Sequence, residues 1–132
     1  MNVANKPSEI LEQAKELIAC QDQWTYGAYA RDETGLEVSA SGKLGVCWCA
    51  EGAMRHTTGP MLAQRGMAFS ARTAAAYEYL IDAARSLLKD RDPGSMLFDS
   101  RHSIHALNDN HGHDAAMEMF DNAIAAAKKN GD

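Results

Sequence analysis

Several things are scarce or missing in this sequence, and each absence narrows what it can be. No run of apolar residues is long enough to cross a bilayer, so a membrane-spanning protein is not expected. No basic cluster occurs either. Thirteen Lys and Arg are scattered among eighteen Asp and Glu, and the resulting charge of −5 argues against a nucleic-acid backbone as partner. Cysteine is limited to three residues, an odd number with two of them one residue apart. That is a poor disulfide framework and, with no signal peptide read at the start, sets the expectation of a cytoplasmic protein. Signatures of common catalytic sites are lacking: there is no glycine-rich phosphate loop, serine elbow or HExxH segment. Large aliphatic side chains are few, with only 21 of 132 residues being Leu, Ile, Val or Phe. The core is therefore expected to be modest, and a homodimer would help to complete it.

What is present reads as one domain over 1–132, α+β but mostly α, with about four helices and a short β-hairpin. An N-terminal helix is expected over 8–21, with Ser8 as N-cap and Ile10, Leu11, Ala14, Leu17 and Ile18 on its apolar face. A hairpin region follows over 24–49. Asp32-Glu33-Thr34-Gly35 reads as a turn between two short strands, and Val46–Cys49 as a last strand. The helical remainder covers 50–129. In it a helix begins near Ala50 and runs to His56, and residues 57–67 wander past Gly59-Pro60 and Gly66. Ser70 then caps the longest helix, and Asp92-Pro93-Gly94 is a turn. A short helix over His102–Leu107 is broken by Asn108–Gly112, and Asp114 caps a final helix carrying Met117, Phe120 and Ile124 inward.

Chemistry concentrates in Val46-Cys47-Trp48-Cys49-Ala50-Glu51-Gly52-Ala53, where two thiols, an indole and a carboxylate meet. Cys49 at a helix N-terminus could be an activated nucleophile or, with Cys47, a metal ligand. Small polarizable sulfurs packed beside Trp48 explain the same residues structurally. His102, His105, His111 and His113 form a second cluster that could share a metal, although no zinc or calcium spacing is matched. Arg31 suits a carboxylate partner or an anionic ligand. Asn108-Asp109 suits a turn, or polar contacts to a ligand.

Taken in order, Trp24, Gly27–Asp32 (GAYARD), Gly35, Cys47–Ala53 (CWCAEGA), Asn108-Asp109 and Phe120–Ile124 (FDNAI) resemble a small family of uncharacterised proteins. That family is a domain of unknown function found in bacterial and phage genomes. The resemblance supplies no activity. It implies a cytoplasmic bacterial or phage protein and marks a shared focus at Trp24, Tyr29, Arg31, Asp32, Cys47, Trp48, Cys49, Asn108 and Asp109.

The expectation is a non-enzymatic binding or interaction module, for instance one acting between phage and host, with no cofactor and no metal required. In it Trp24, Tyr29 and Trp48 give anchor area, while Arg31, Asp32 and Asp109 orient the contact. The alternative is a metal- or thiol-dependent enzyme, or a small-ligand sensor, centred on Cys47 and Cys49. Protein partner or small ligand, reaction, oligomeric state and metal binding at either cluster stay open on sequence alone.

Overall fold

The computed structural model describes residues 6–91, 93 and 100–132, and the side chains of all of these except 60–70, 100 and 101. Pro7 sets where the first helix begins. Its fixed φ and missing amide suit the first helical position, so α1 spans Pro7–Leu17 with Lys6 ahead of it and no side-chain cap. Ser8 is not the N-cap expected from its residue type. Its amide and hydroxyl instead donate to the Asp132 carbonyl, at 3.2 and 3.0 Å, and tie the two ends of the chain together. Ile10, Leu11, Ala14 and Ile18 are fully buried, as their spacing requires. The α1 helix tightens at Ile18 and Ala19 and stops short of residue 21, giving way to a single 3-10 turn over Gln21–Gln23.

A minimal antiparallel pair follows. Strand β1, Ala30–Arg31, pairs with β2, Cys47–Trp48, in the register Ala30 to Trp48 and Arg31 to Cys47. Isolated bridges cover both edges: Arg31 meets Glu37 on one side, and Trp24 meets Trp48 on the other. The turn expected at Asp32–Gly35 is present. Asp32 Oδ1 accepts from the Thr34 amide and hydroxyl and from the Leu36 amide, at 2.8, 2.7 and 3.1 Å. Those hydrogen bonds, led by the Thr34 hydroxyl, hold the Asp32 carboxyl below its ordinary 3.8.

Helix α2 spans Ala50–Arg91, forty-two residues, and departs from expectation in its length. It starts where the sequence indicated but continues through Gly59, Pro60 and Ser70, so neither a break at 57–67 nor a cap at Ser70 exists. A helix can absorb the one hydrogen bond that proline removes when it is held by packing, and α2 packs on both other helices. The Asp92-Pro93-Gly94 turn falls mainly outside the described residues. Helix α3, Ser100–Lys129, is interrupted by one residue, Gly112, at φ 91° and ψ −177°. Only glycine adopts that conformation readily, so the break sits there and not across 108–112. Asn108 and Asp109 are helical because their side chains serve distant partners and do not compete for their own backbone.

Among the described residues, three α-helices and the 3-10 turn over Gln21–Gln23, with the two-stranded pair, make the α+β, mostly α fold expected. The core lies between the helices. Ile10, Leu11 and Ile18 from α1, Met54, Leu80 and Leu88 from α2, and Ile104, Leu107, Met119 and Phe120 from α3 are all fully buried. Alanines at 14, 50, 53, 76, 84, 123 and 127 fill the closest approaches, so the core is tight but contributes little area per residue. No helix among the described residues is long and apolar enough to cross a membrane.

Candidate functional site

The start of α2 organises the site. Four backbone amides of a helix's first turn have no partner inside it and need acceptors from elsewhere. Asn108, on α3, supplies one. Its Oδ1 accepts from the Ala50 amide at 3.0 Å and from the Trp24 indole Nε1 at 2.8 Å. Its Nδ2 donates to the Thr25 carbonyl at 3.2 Å and to Asp109 Oδ1 at 2.9 Å. One buried amide therefore joins α3, the N-terminus of α2 and the 24–25 segment. Asp109 Oδ1 also accepts from the Gly27 amide, at 3.3 Å.

Cys49 supplies a second acceptor, its Sγ taking the Gly52 amide at 3.3 Å. The helix terminus does not make this sulfur a thiolate. Burial dominates and pushes the thiol up to about 11, with the Asp109 carboxylate adding to the shift, so Cys49 is protonated near neutral pH. With the group 3 % exposed, loss of water outweighs the favourable amides that a helix N-terminus offers a thiolate. Cys47 is half-buried over the Arg31 carbonyl, and all three cysteines are unpaired.

Beneath the surface lies the carboxylate of the Val46–Ala53 segment, which is not among the expected site residues. Glu51 is 2 % exposed, yet it carries a carboxylate. Arg55, one helical turn on, donates from Nε to Oε2 at 2.9 Å, while His105 Nε2 sits 3.2 Å from Oε1. Burial alone would raise the Glu51 carboxyl, but the hydrogen bonds and charges of His105 and Arg55 outweigh it and hold it below 4.5. Reciprocally, the hydrogen bond to Glu51 holds His105 above its ordinary 6.5, against the opposing pull of burial. Arg55 continues outward, its guanidinium 4.1 Å above the ring of Tyr29, whose centroid lies 5.6 Å from that of His105.

These linked titrations have a measurable consequence. Glu51 has a lowered folded-state pKa, so its contribution to stability is complete above about pH 4.5 and fades as pH falls through the folded value. His105 has a raised one, so its contribution is complete below about pH 6.5 and fades as pH rises through the folded value. Thermal melts of the wild type and His105→Gln should therefore differ more at about pH 6 than at about pH 9. An equal gap at both would contradict the pairing.

Above this network opens a cavity of about 350 Å³, lined by Gly27, Ala28, Tyr29, Glu37, Cys49, His102, His105 and Asp109. Of the nine residues expected at a shared focus, Tyr29, Cys49 and Asp109 line it, and Asn108 lies directly behind. The other five hold the surrounding loops. Arg31 donates to Thr25 Oγ1, the Gly35 carbonyl and the Tyr26 carbonyl, at 3.2, 3.1 and 3.2 Å, and so ties the turn to the 25–26 segment. Asp32 is spent on the turn, and Trp24 is half-buried against Asn108. Trp48 is 7 % exposed and packs on His56 with ring centroids 5.0 Å apart. It is a core residue and offers no anchor to a partner.

The histidine cluster divides. His102 and His105 pack edge-on across one helical turn, centroids 6.4 Å apart, and share the cavity. His113 instead binds the Ile18 carbonyl at the end of α1, 2.7 Å away, and packs beside Trp24. Among the described residues no group of three His, Cys, Asp or Glu side chains is arranged to hold a metal ion. Glu51 and Arg55 were visible in the sequence as an i, i+4 pair of opposite charge; the partner fifty-four residues downstream was not.

A family model described as a family of unknown function, DUF6197, matches residues 3–126. The chain belongs to that family. The match runs from before α1 nearly to the end of α3. No curated protein and no solved structure matches the chain.

Proposed function

We propose that this member of DUF6197 is a non-catalytic binding module that takes a small polar ligand into the cavity between the 27–29 segment and α3. The observation that carries this reading is the buried Glu51. A carboxylate withdrawn from water is expensive to keep, and here its two oxygens are used to fix Arg55 and His105 from behind. Those two groups in turn frame Tyr29 and the cavity wall. Such support is what a recognition surface needs if its polar groups are to be held ready before binding. The protonated thiol of Cys49 speaks for a packed floor and against thiol catalysis.

A protein partner is the second reading, favoured by the distribution of exposed apolar side chains. Tyr26, Leu36, Leu44 and Val46 are all exposed, together with Tyr29, and all lie within residues 26–46. A cytoplasmic setting belongs to the same proposal, supported by three unpaired thiols. A bacterial or phage origin rests on the motif resemblance.

The test is amide chemical-shift mapping against a library of small polar metabolites. Compounds that bind should move residues 27–29 and 102–109 together and leave the outer face of α1 untouched. If no compound at millimolar concentration moves those amides, the ligand-binding reading fails.

A further inference from the structure

We infer that the ligand is a small zwitterion, an α-amino acid or a molecule bearing the same ammonium–carboxylate pair, whose carboxylate meets the imidazole of His105 while its ammonium meets the carboxylates of Asp109 and Glu37. This deepens the binding reading given above and rests on it.

The argument starts from which charges remain to be used. A groove between α1 and α3 is also lined with charge, but four of its five charged residues already pair with one another: Lys15 with Asp121, and Lys128 with Glu12. The cavity over Glu51 is different. His105 spends Nε2 on Glu51, and among the described residues its Nδ1 has no hydrogen-bond partner. Asp109 spends Oδ1 on Gly27 and Asn108, and among the described residues its second oxygen is unengaged. The Glu37 carboxylate likewise has no side-chain partner among them, and it lines the same cavity.

Spacing supplies the second strand. His102, His105 and Asp109 stand at i, i+3 and i+7 on α3, so they share one face and successive Cβ atoms lie roughly 5–6 Å apart. An ammonium and a carboxylate on one carbon, each with a hydrogen bond's reach beyond it, bridge such a gap between His105 and Asp109. A ligand of one charge does not suit this wall. A pure anion would approach two carboxylates, and a pure cation would approach an imidazole whose charged form Glu51 favours. The exposed ring of Tyr29 and the Cys49 sulfur leave a softer part of the cavity for an amino-acid side chain.

The experiment compares three probes on the full chain by the same amide mapping: L-leucine, 4-methylpentanoate (leucine without its ammonium) and 3-methylbutylamine (leucine without its carboxylate). L-leucine should bind, and each truncated probe should bind at least about tenfold more weakly, because it leaves one set of polar groups unmatched. Asp109→Asn keeps the oxygen that Gly27 and Asn108 use. It should weaken L-leucine by about tenfold while leaving 4-methylpentanoate unchanged or tighter. Its amide spectrum should superpose on the wild type elsewhere, so a loss through misfolding would be visible.

If a truncated probe binds as well as L-leucine, the zwitterion inference is wrong and the cavity remains a ligand site. The same holds if none of the twenty standard amino acids moves these amides while other library compounds do. If nothing of any class moves them, the binding reading falls as well.

Discussion

Gly52→Ala is expected to lower stability by about 3 kcal/mol or more, and the melting temperature by roughly 10 °C or more. The first turn of α2 lies directly on the backbone of Tyr29. A Cβ at Gly52 would overlap the Tyr29 carbonyl oxygen and come within 2.7 Å of its carbon. Backbone cannot swing aside as the tip of a lysine can, and this stretch is doubly fixed. The Cys49 amide donates to that same Tyr29 carbonyl at 3.1 Å, while β1 begins one residue later. Relief would have to come from lifting the 27–29 segment off the helix, which would also open the cavity. Gly42→Ala is the control. A Cβ there meets its nearest neighbour at an ordinary 3.5 Å, and the change should stay within about 0.5 kcal/mol. Thermal or urea unfolding of the two variants side by side decides the matter. Equal, small effects would show that α2 and Tyr29 are not in contact.

Asn108→Ala is expected to cost about 3–5 kcal/mol, well above the usual loss of a helix cap, because one deletion strands several groups at once. The Ala50 amide, the Trp24 indole and the Thr25 carbonyl all lose their partner. Asn108 is 1 % exposed, so water does not easily replace it. Asn108→Asp is the informative companion. It retains acceptors for Ala50 and Trp24 but turns an oxygen towards the Thr25 carbonyl and the Asp109 carboxylate, and should fall between wild type and alanine. Tryptophan emission gives an independent reading, since Trp24 should move towards solvent in the alanine variant. A cost under about 1 kcal/mol would mean that the amide is not the junction described.

Local rules made part of this legible in the sequence. The apolar face of α1, the Asp32–Gly35 turn and the start of α2 at Ala50 each depend on neighbours within a few residues. Where local rules failed, something distant outweighed them. Pro60 reads as a breaker because it removes a hydrogen bond, yet α2 runs through it. Asn108 reads as turn-forming because its side chain can bond nearby backbone, yet its partners lie at 24, 25 and 50. Cys49 reads as acidified by the helix terminus, and only its burial reverses the sign. Glu51 sat inside the most conspicuous segment, and nothing nearby set it apart as a site residue. A carboxylate's burial, and a histidine waiting on another helix, leave no mark within a short window of sequence.

The long reach of Asn108 also dictates when the cavity can exist. The segment carrying Trp24 to Tyr29 and the first turn of α2 leave the ribosome early, whereas their common junction and three of the eight residues lining the cavity lie on α3. Contacts spanning eighty-odd residues form late and are slow to nucleate. During synthesis the Trp24 indole and the Ala50 amide therefore wait for most of the chain to appear. A nascent or prematurely ended chain lacking α3 would present thiols, tyrosines and a Glu51 without His105, with no pocket around them. Assembly of the cavity thus reports completion of the fold.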